Sequence, residues 1–213
     1  MKAFIFDMDG ILFDTEYLVQ EALRAVSKRH GERTDIDEFY PTTCGSTIAT
    51  ANLLYTSFFG SEYPYEERRA EMRRWVAEKI ANDGIPIKDG ALSLLKFLKE
   101  KGYKIALATS TSRASAESHL KSAGFSDFFD ASVCGDEIKN AKPNPEVFLK
   151  AAEKLGVIPS ECYVAEDSYV GVEAGFRAGM KVFMIPDMNP PRDKEKELSY
   201  KICDSLFDVI EYL

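Results

Sequence analysis

The chain has 213 residues, of which 45% are hydrophobic, enough apolar side chain to fill a core and to exclude a solvated, disordered polymer. Its 35 acidic against 27 basic side chains give a formal charge of −8, which disfavours polyanionic partners such as nucleic acid or an acidic membrane surface. A small phosphorylated ligand, which needs only a local positive site, stays possible. The four cysteines (Cys44, Cys134, Cys162, Cys203) show no CxxC or Cys/His metal spacing, and no signal peptide or long apolar span is visible. Free thiols in a cytoplasmic, monomeric protein are the expectation.

The first element is the apolar run Ala3-Phe4-Ile5-Phe6, which reads as a central strand of a parallel sheet. It leads directly into Asp7, Asp9 and Gly10, with Asp14-Thr15 close behind. Alternation along an extended backbone points Asp7 and Asp9 to the same side, at the carboxyl edge where ligands bind in such sheets. Two carboxylates this close need a cation or a shared proton, and Mg²⁺ suits them. Taken alone, a DxD after a strand is also an ordinary polar turn.

From Thr15 onward the apolar positions Leu18, Val19, Ala22, Leu23 and Val26 recur at helical spacing, as do Met72, Trp75, Val76 and Ile80. A further helix is expected near 47–58, after the irregular PTTCGST stretch. Residues 15–84 therefore read as a helical bundle without strands. From Ile85 the pattern changes to βα alternation. A helix carrying Leu92, Leu95 and Leu98 precedes the strand Lys104-Ile105-Ala106-Leu107-Ala108, and strands follow at Tyr163-Val164-Ala165 and Val182-Phe183-Met184-Ile185. Helices are expected near 113–123, 145–155, 168–178 and 204–212. The fold class is α/β, a doubly wound parallel sheet formed by 1–14 and 85–213, with an inserted helical cap at 15–84. Insertion after the first strand places the bundle to act as a lid over the carboxyl edge. The segment 189–197, opening on Asn189-Pro190-Pro191 and rich in charge, reads as a solvated loop.

Each later strand ends in groups suited to phosphate. After KIALA come Thr109-Ser110-Thr111, a hydroxyl and successive N–H groups at a helix start, which also suit a plain helix cap. Lys142 precedes a helix in AKPNPEVF, and Pro143 disfavours a helical conformation at it. Tyr163-Val164-Ala165 runs into Glu166-Asp167-Ser168 and Gly171.

The string FIFDMDGILFDT, then Thr109, KPNPEVF and the Glu166-Asp167 pair, in that order, resembles the haloacid dehalogenase superfamily of aspartate-nucleophile phosphatases and phosphomutases. The layout is similar to the subgroup holding β-phosphoglucomutase and small phosphatases. The resemblance implies that Asp7 forms an aspartyl-phosphate, that Asp9 acts as acid and base, and that Thr109 and Lys142 hold phosphoryl oxygens. It further implies Mg²⁺ held by Asp7, Asp9 and Asp167, with Glu166 a ligand or a group positioning the metal's waters. Because Asp9 is present, haloacid hydrolysis is not expected. Substrate contacts are expected from Ser110 and Thr111 and, in the cap, from Glu16, Tyr17, Gln20 and the Gly45-Ser46 turn. The mutase pattern has a histidine in the first cap helix and an arginine in the cap loop. Here Leu18, Val19 and Gln20 occupy the one, and Thr43-Cys44-Gly45-Ser46-Thr47 the other. His30 falls far along its helix, and Arg68, Arg69, Arg73 and Arg74, interleaved with glutamates, read as a solvated face. A Mg²⁺-dependent phosphatase of a small phosphomonoester is expected, with a hexose-phosphate mutase and a non-catalytic binding protein as alternatives.

Overall fold

The computed structural model describes residues 1–213, which form two compact units, Met1–Asp14 with Ile87–Leu213 and the helical Thr15–Pro86. The first unit holds a six-stranded parallel sheet: β1 (Ala3–Phe6), β2 (Lys104–Ala108), β3 (Ala131–Val133), β4 (Cys162–Glu166), β5 (Lys181–Met184) and β6 (Lys201–Ile202). Their spatial order is β3-β2-β1-β4-β5-β6. β1 pairs with β2 and β4 in matched register, Phe6 lying opposite Leu107 and Ala165. The strand order reverses between β1 and β4, and at that switch point the carboxyl ends of two neighbouring strands leave an open crevice.

The strands are apolar on both faces because both faces are covered by helices. β1 and all of β4 are buried. One face carries Val147, Phe148, Ala151 and Leu155 of α6 (Glu146–Leu155) against Ile5, Ala106 and Val164. The other includes an aromatic stack of Phe4, Phe183 and Tyr163, with Phe4 and Phe183 centroids 6.1 Å apart. The unit is completed by α4 (Ala91–Glu100), α5 (Arg113–Ser122), α7 (Tyr169–Arg177), α8 (Asp193–Leu198) and α9 (Leu206–Ile210).

The second unit contains α1 (Thr15–Arg29), α2 (Ile48–Phe59) and α3 (Tyr65–Asp83). α1 has Glu16 in its first turn and Lys28 and Arg29 in its last, charges that suit the helix dipole. Thr47 caps α2, its hydroxyl accepting the Thr50 N–H at 3.2 Å. The core of this unit is aromatic: Phe39 stacks on Phe58 at 3.9 Å, and Tyr55 packs against Tyr65 at 5.1 Å. Within the first unit, Phe13 bridges Ile87 and the Lys88 N–H donates to the Leu12 carbonyl at 3.0 Å. This pairing makes Ile87 the first residue back on the sheet unit, two residues later than the sequence pattern suggests.

Several expectations are corrected. The segment 189–197 is not a solvated loop throughout: α8 forms from Asp193, and Glu195 is fully buried. Burial is tolerated because Arg192 donates to both Glu195 oxygens at 2.8 Å while stacking 3.6 Å above the Tyr169 ring. Leu92 is 40% exposed, and Leu94, Leu95 and Leu98 make the buried face of α4. Arg68 is no solvated charge either. Its side chain is 12% exposed, bonded to Glu32 at 2.8 Å and near Glu71, which also binds His30. All four cysteines are free, and no helix is long and apolar enough to cross a membrane.

Candidate active site

The carboxyl ends of β1 and β4 bring one lysine between two carboxylates. Lys142, in the loop before α6, donates to Asp7 Oδ1 at 2.5 Å and to Glu166 Oε1 at 2.6 Å, and lies 3.4 Å from the Ala108 carbonyl. Its side chain is 5% exposed, those of Asp7 and Glu166 9% and 0%, so the triad is nearly cut off from water. Phe148, in the first turn of α6, lies beneath the ammonium, its ring centroid 4.9 Å from Nζ.

Two acids sharing one base leaves excess negative charge. Burial pushes the Asp7 carboxyl up to about 7; Lys142 opposes this, while the Glu166 and Asp9 carboxylates reinforce it. For Lys142 the desolvation that would lower its pKa is outweighed by Asp7 and Glu166, which hold it charged. The lysine thus has two acids, whereas Asp7 has half a lysine.

Glu166 has both oxygens engaged. Oε1 is on Lys142, and Oε2 accepts from the N–H groups of Asp167 and Ser168 and from Ser168 Oγ, each at 3.0 Å. A side chain so used, fully buried at the base of α7, orients Lys142 and the loop. Ser168 also caps α7, accepting the Gly171 N–H at 3.1 Å. Any side chain at position 171 would collide with the Glu166 carboxylate. Neither Ser168 nor Phe148 was singled out from sequence, although Ser168 three residues before Gly171 is an ordinary N-cap signal.

The remaining core residues assemble around these. Thr109 is fully buried, and its hydroxyl accepts the Thr111 N–H at 3.0 Å. Thr111, expected to contact substrate, donates its hydroxyl to Asp9 Oδ2 at 2.7 Å. Ser110 is exposed, and its carbonyl packs so closely on Gly135 that a Cβ there would clash. His119 on α5 sets its ring edge-on to Phe13; burial lowers its pKa, against the pull of Asp9. In the helical unit, Glu16 accepts from Tyr40 Oη at 2.5 Å and from Cys44 Sγ at 3.4 Å, which joins it to the loop carrying Gly45 and Ser46. Gly45 is exposed with φ +73°, and Ser46 Oγ donates to the Thr43 carbonyl at 2.6 Å. Tyr17 is exposed and Gln20 donates to Asp37.

No three His, Cys, Asp or Glu side chains converge as a ready-made cage. The donors still fit a hard divalent ion. Gly10, at φ +79°, lies so close beneath the Asp167 carboxylate that a Cβ would collide with it, which sets this acid against the Asp9-Gly10 backbone. Two carboxylates, Asp7 and Asp167, and a main-chain carbonyl, that of Asp9, are an all-oxygen set of the size Mg²⁺ takes when it keeps several waters.

A family model described as haloacid dehalogenase-like hydrolase matches residues 1–179. The chain belongs to this family. It is 36% identical over 186 residues to the phosphorylated carbohydrates phosphatase of Thermotoga maritima, covering 85% of this chain and 83% of that one. It is 30% identical over 179 residues to the fructose-1-phosphate phosphatase YqaB of Escherichia coli, covering 83% and 92%. Among solved structures it is similar to the β-phosphoglucomutase of Clostridium difficile, with a TM-score of 0.74, 27% identity, and coverage of 100% and 96%. This haloacid dehalogenase-like hydrolase is a phosphomonoester hydrolase.

Proposed function

We propose that the chain hydrolyses a small phosphomonoester, a sugar phosphate or similar metabolite, in a Mg²⁺-dependent reaction through a phosphoryl group carried on Asp7. The observation that carries this reading is the Lys142 ammonium held between Asp7 and Glu166 at the β1/β4 crevice, with Asp9 two residues from Asp7. A fixed cation beside a nucleophilic carboxylate answers the mainly electrostatic demands of phosphoryl transfer.

An Asp7 carboxylate oxygen attacks phosphorus, the bond to the leaving oxygen breaks, and Asp9 gives that oxygen a proton. Water then attacks the same phosphorus, Asp9 takes its proton, and the bond to Asp7 breaks to release inorganic phosphate. Lys142 attracts the phosphoryl oxygens and compensates Asp7. Thr109, whose oxygen accepts from Thr111, keeps its own hydrogen for a phosphoryl oxygen. Asp7, Asp167 and the Asp9 carbonyl would hold Mg²⁺, which supplies positive charge to the phosphoryl oxygens when bound. Glu16, Gly45 and Ser46 are proposed to read the rest of the substrate, as Ser110 is on the sheet unit. The substrates named for the two phosphatase relatives, phosphorylated carbohydrates and fructose 1-phosphate, support the sugar-phosphate class.

A panel of phosphomonoesters with Mg²⁺, read as phosphate release, tests this; no turnover of any member would contradict the reading. Millimolar Mg²⁺ should also raise the melting temperature of the wild-type protein, since a ligand bound only by the folded state stabilises it. The shift should disappear in Asp167→Ala. An equal shift in that variant would remove Asp167 from the metal's ligands, whatever its activity.

The likeness to a β-phosphoglucomutase structure favours one second reading, isomerisation of a hexose phosphate. Interconversion of glucose 1-phosphate and glucose 6-phosphate that outpaces phosphate release, with a bisphosphate activator present, would establish it. The absence of an arginine from Thr43 to Thr47 and of a histidine at Leu18, Val19 and Gln20 supports hydrolysis.

A further inference from the structure

We infer that Glu146 is a positioning residue for Lys142, bracing the loop that delivers the ammonium to the crevice; this rests on the phosphoryl-holding role proposed for Lys142 above. Lys142 lies on the connection between β3 and α6, and the chain leading to it has little packing of its own. Ile138 packs against the sheet core, but Lys139, Asn140 and Ala141 are exposed. Glu146, the first residue of α6, reaches back over them. Its Oε1 accepts the Lys139 N–H at 3.0 Å, and its Oε2 accepts the Asn140 N–H at 2.9 Å and Asn140 Nδ2–H at 3.0 Å. Within this brace the Asn144 N–H donates to the Ala141 carbonyl at 3.0 Å, closing a turn with Lys142 in its second position. Asn144 Oδ1 in turn accepts the Glu146 N–H at 3.0 Å.

One carboxylate therefore clamps the two limbs of the loop together, and Lys142 projects from the closed end. The ammonium has to meet Asp7 Oδ1 at 2.5 Å and Glu166 Oε1 at 2.6 Å at once, and an unbraced limb would spread it over many positions. A displacement of about 1 Å at a reacting centre can cost on the order of 10²-fold in rate. Lys150, and then the backbone N–H groups that it accepts, hold the Glu146 carboxyl down at about 2, so the brace is charged at any working pH. Its place in the first turn of α6 also suits a carboxylate. Lys150 bonds the same Oε1 at 2.8 Å, but that pair is an i,i+4 contact on the helix surface and does not span the loop. Glu146 touches no reacting atom in this account.

Glu146→Gln keeps the size and breaks the clamp, because an amide offers an acceptor to one limb residue and turns its own N–H groups on the other. Lys150→Met removes the helix-surface pair, together with a bond to the Glu137 carbonyl, and leaves the clamp. On the best substrate of the phosphomonoester panel, kcat should fall about tenfold in Glu146→Gln and stay within about twofold of wild type in Lys150→Met. A second readout needs no turnover and no metal. In protein labelled with nitrogen-15 lysine, the Lys142 ammonium, 5% exposed, should give a slowly exchanging Nζ signal, assigned by its loss in Lys142→Met. That signal should shift or broaden in Glu146→Gln and stay in place in Lys150→Met. An unchanged Lys142 signal in Glu146→Gln, a kcat within about twofold of wild type, or equal losses in the two variants would overturn the inference. If Lys142→Met itself keeps its activity, the role proposed for Lys142 fails first. If Lys142→Met is inactive and Glu146→Gln is unimpaired, only the positioning role is lost.

Discussion

Asp7→Asn should abolish turnover and, at the same time, make the metal-free protein more heat-stable above neutral pH. The amide is nearly isosteric but cannot form the acyl phosphate, so the loss should be at least on the order of 10⁴-fold, as for removal of other nucleophiles. The stability gain follows from the raised pKa. Burial and two neighbouring carboxylates push Asp7 up to about 7 despite Lys142, so below about pH 4 the group is protonated in folded and unfolded chains alike. As pH rises through 7 the folded protein must ionise a buried acid, and stability is lost. The asparagine variant never incurs this loss. In EDTA its melting temperature should exceed that of wild type at pH 8 by on the order of 5 °C, the response of a chain of this size to about 2 kcal/mol, and the gap should shrink at pH 5. An equal gap at both pH values would show that charge at Asp7 is not the cause.

Lys142→Met should have the opposite signature, with both activity and stability falling. The ammonium is bonded to Asp7 and Glu166 with almost no solvent access, and its removal leaves two buried carboxylates without a cation. Breaking a buried pair in this way typically costs about 3–5 kcal/mol. The deficit should be largest at alkaline pH and smaller in mild acid, because the Asp7 carboxyl, already pushed up to about 7 by burial, takes up a proton there and relieves part of the uncompensated buried charge. Adding Asp7→Asn to Lys142→Met should restore part of the stability and none of the turnover. A double variant no more stable than Lys142→Met alone would show that the lysine acts through packing on Phe148 instead.

The sheet was legible where strands were long and apolar on both faces. Lys104–Ala108 carries a clear apolar run and was placed at its observed ends, whereas Ala131–Val133 and Lys201–Ile202 are too short and too polar to give a pattern. They form because β2 and β5 offer them backbone partners, information that lies outside each segment. Burial of Glu195 and Arg68 was hidden for a related reason: a charged side chain reads as solvated until its partner, Arg192 or Glu32, is known to face it. At the candidate site the residue types were legible and their connections were not. Nothing in the string after KIALA says that the third hydroxyl turns toward Asp9, or that both oxygens of Glu166 are consumed by Lys142 and the start of α7.

The Phe13–Ile87 bridge, with the Leu12 carbonyl bonded to the Lys88 N–H, bears on how the helical insert could vary over time. The cost of closing a loop rises only with the logarithm of its length. Once the two ends are pinned side by side on the sheet unit, lengthening, shortening or replacing the helices between them changes that cost by about half a kcal/mol for each doubling. The sheet accommodates the return of a long excursion with the same two backbone contacts that would serve a tight turn. Variation in the insert is thereby thermodynamically cheap, while Asp7 and Asp9, a few residues upstream of the entry point, stay under the separate and much stricter control of the buried strand that carries them.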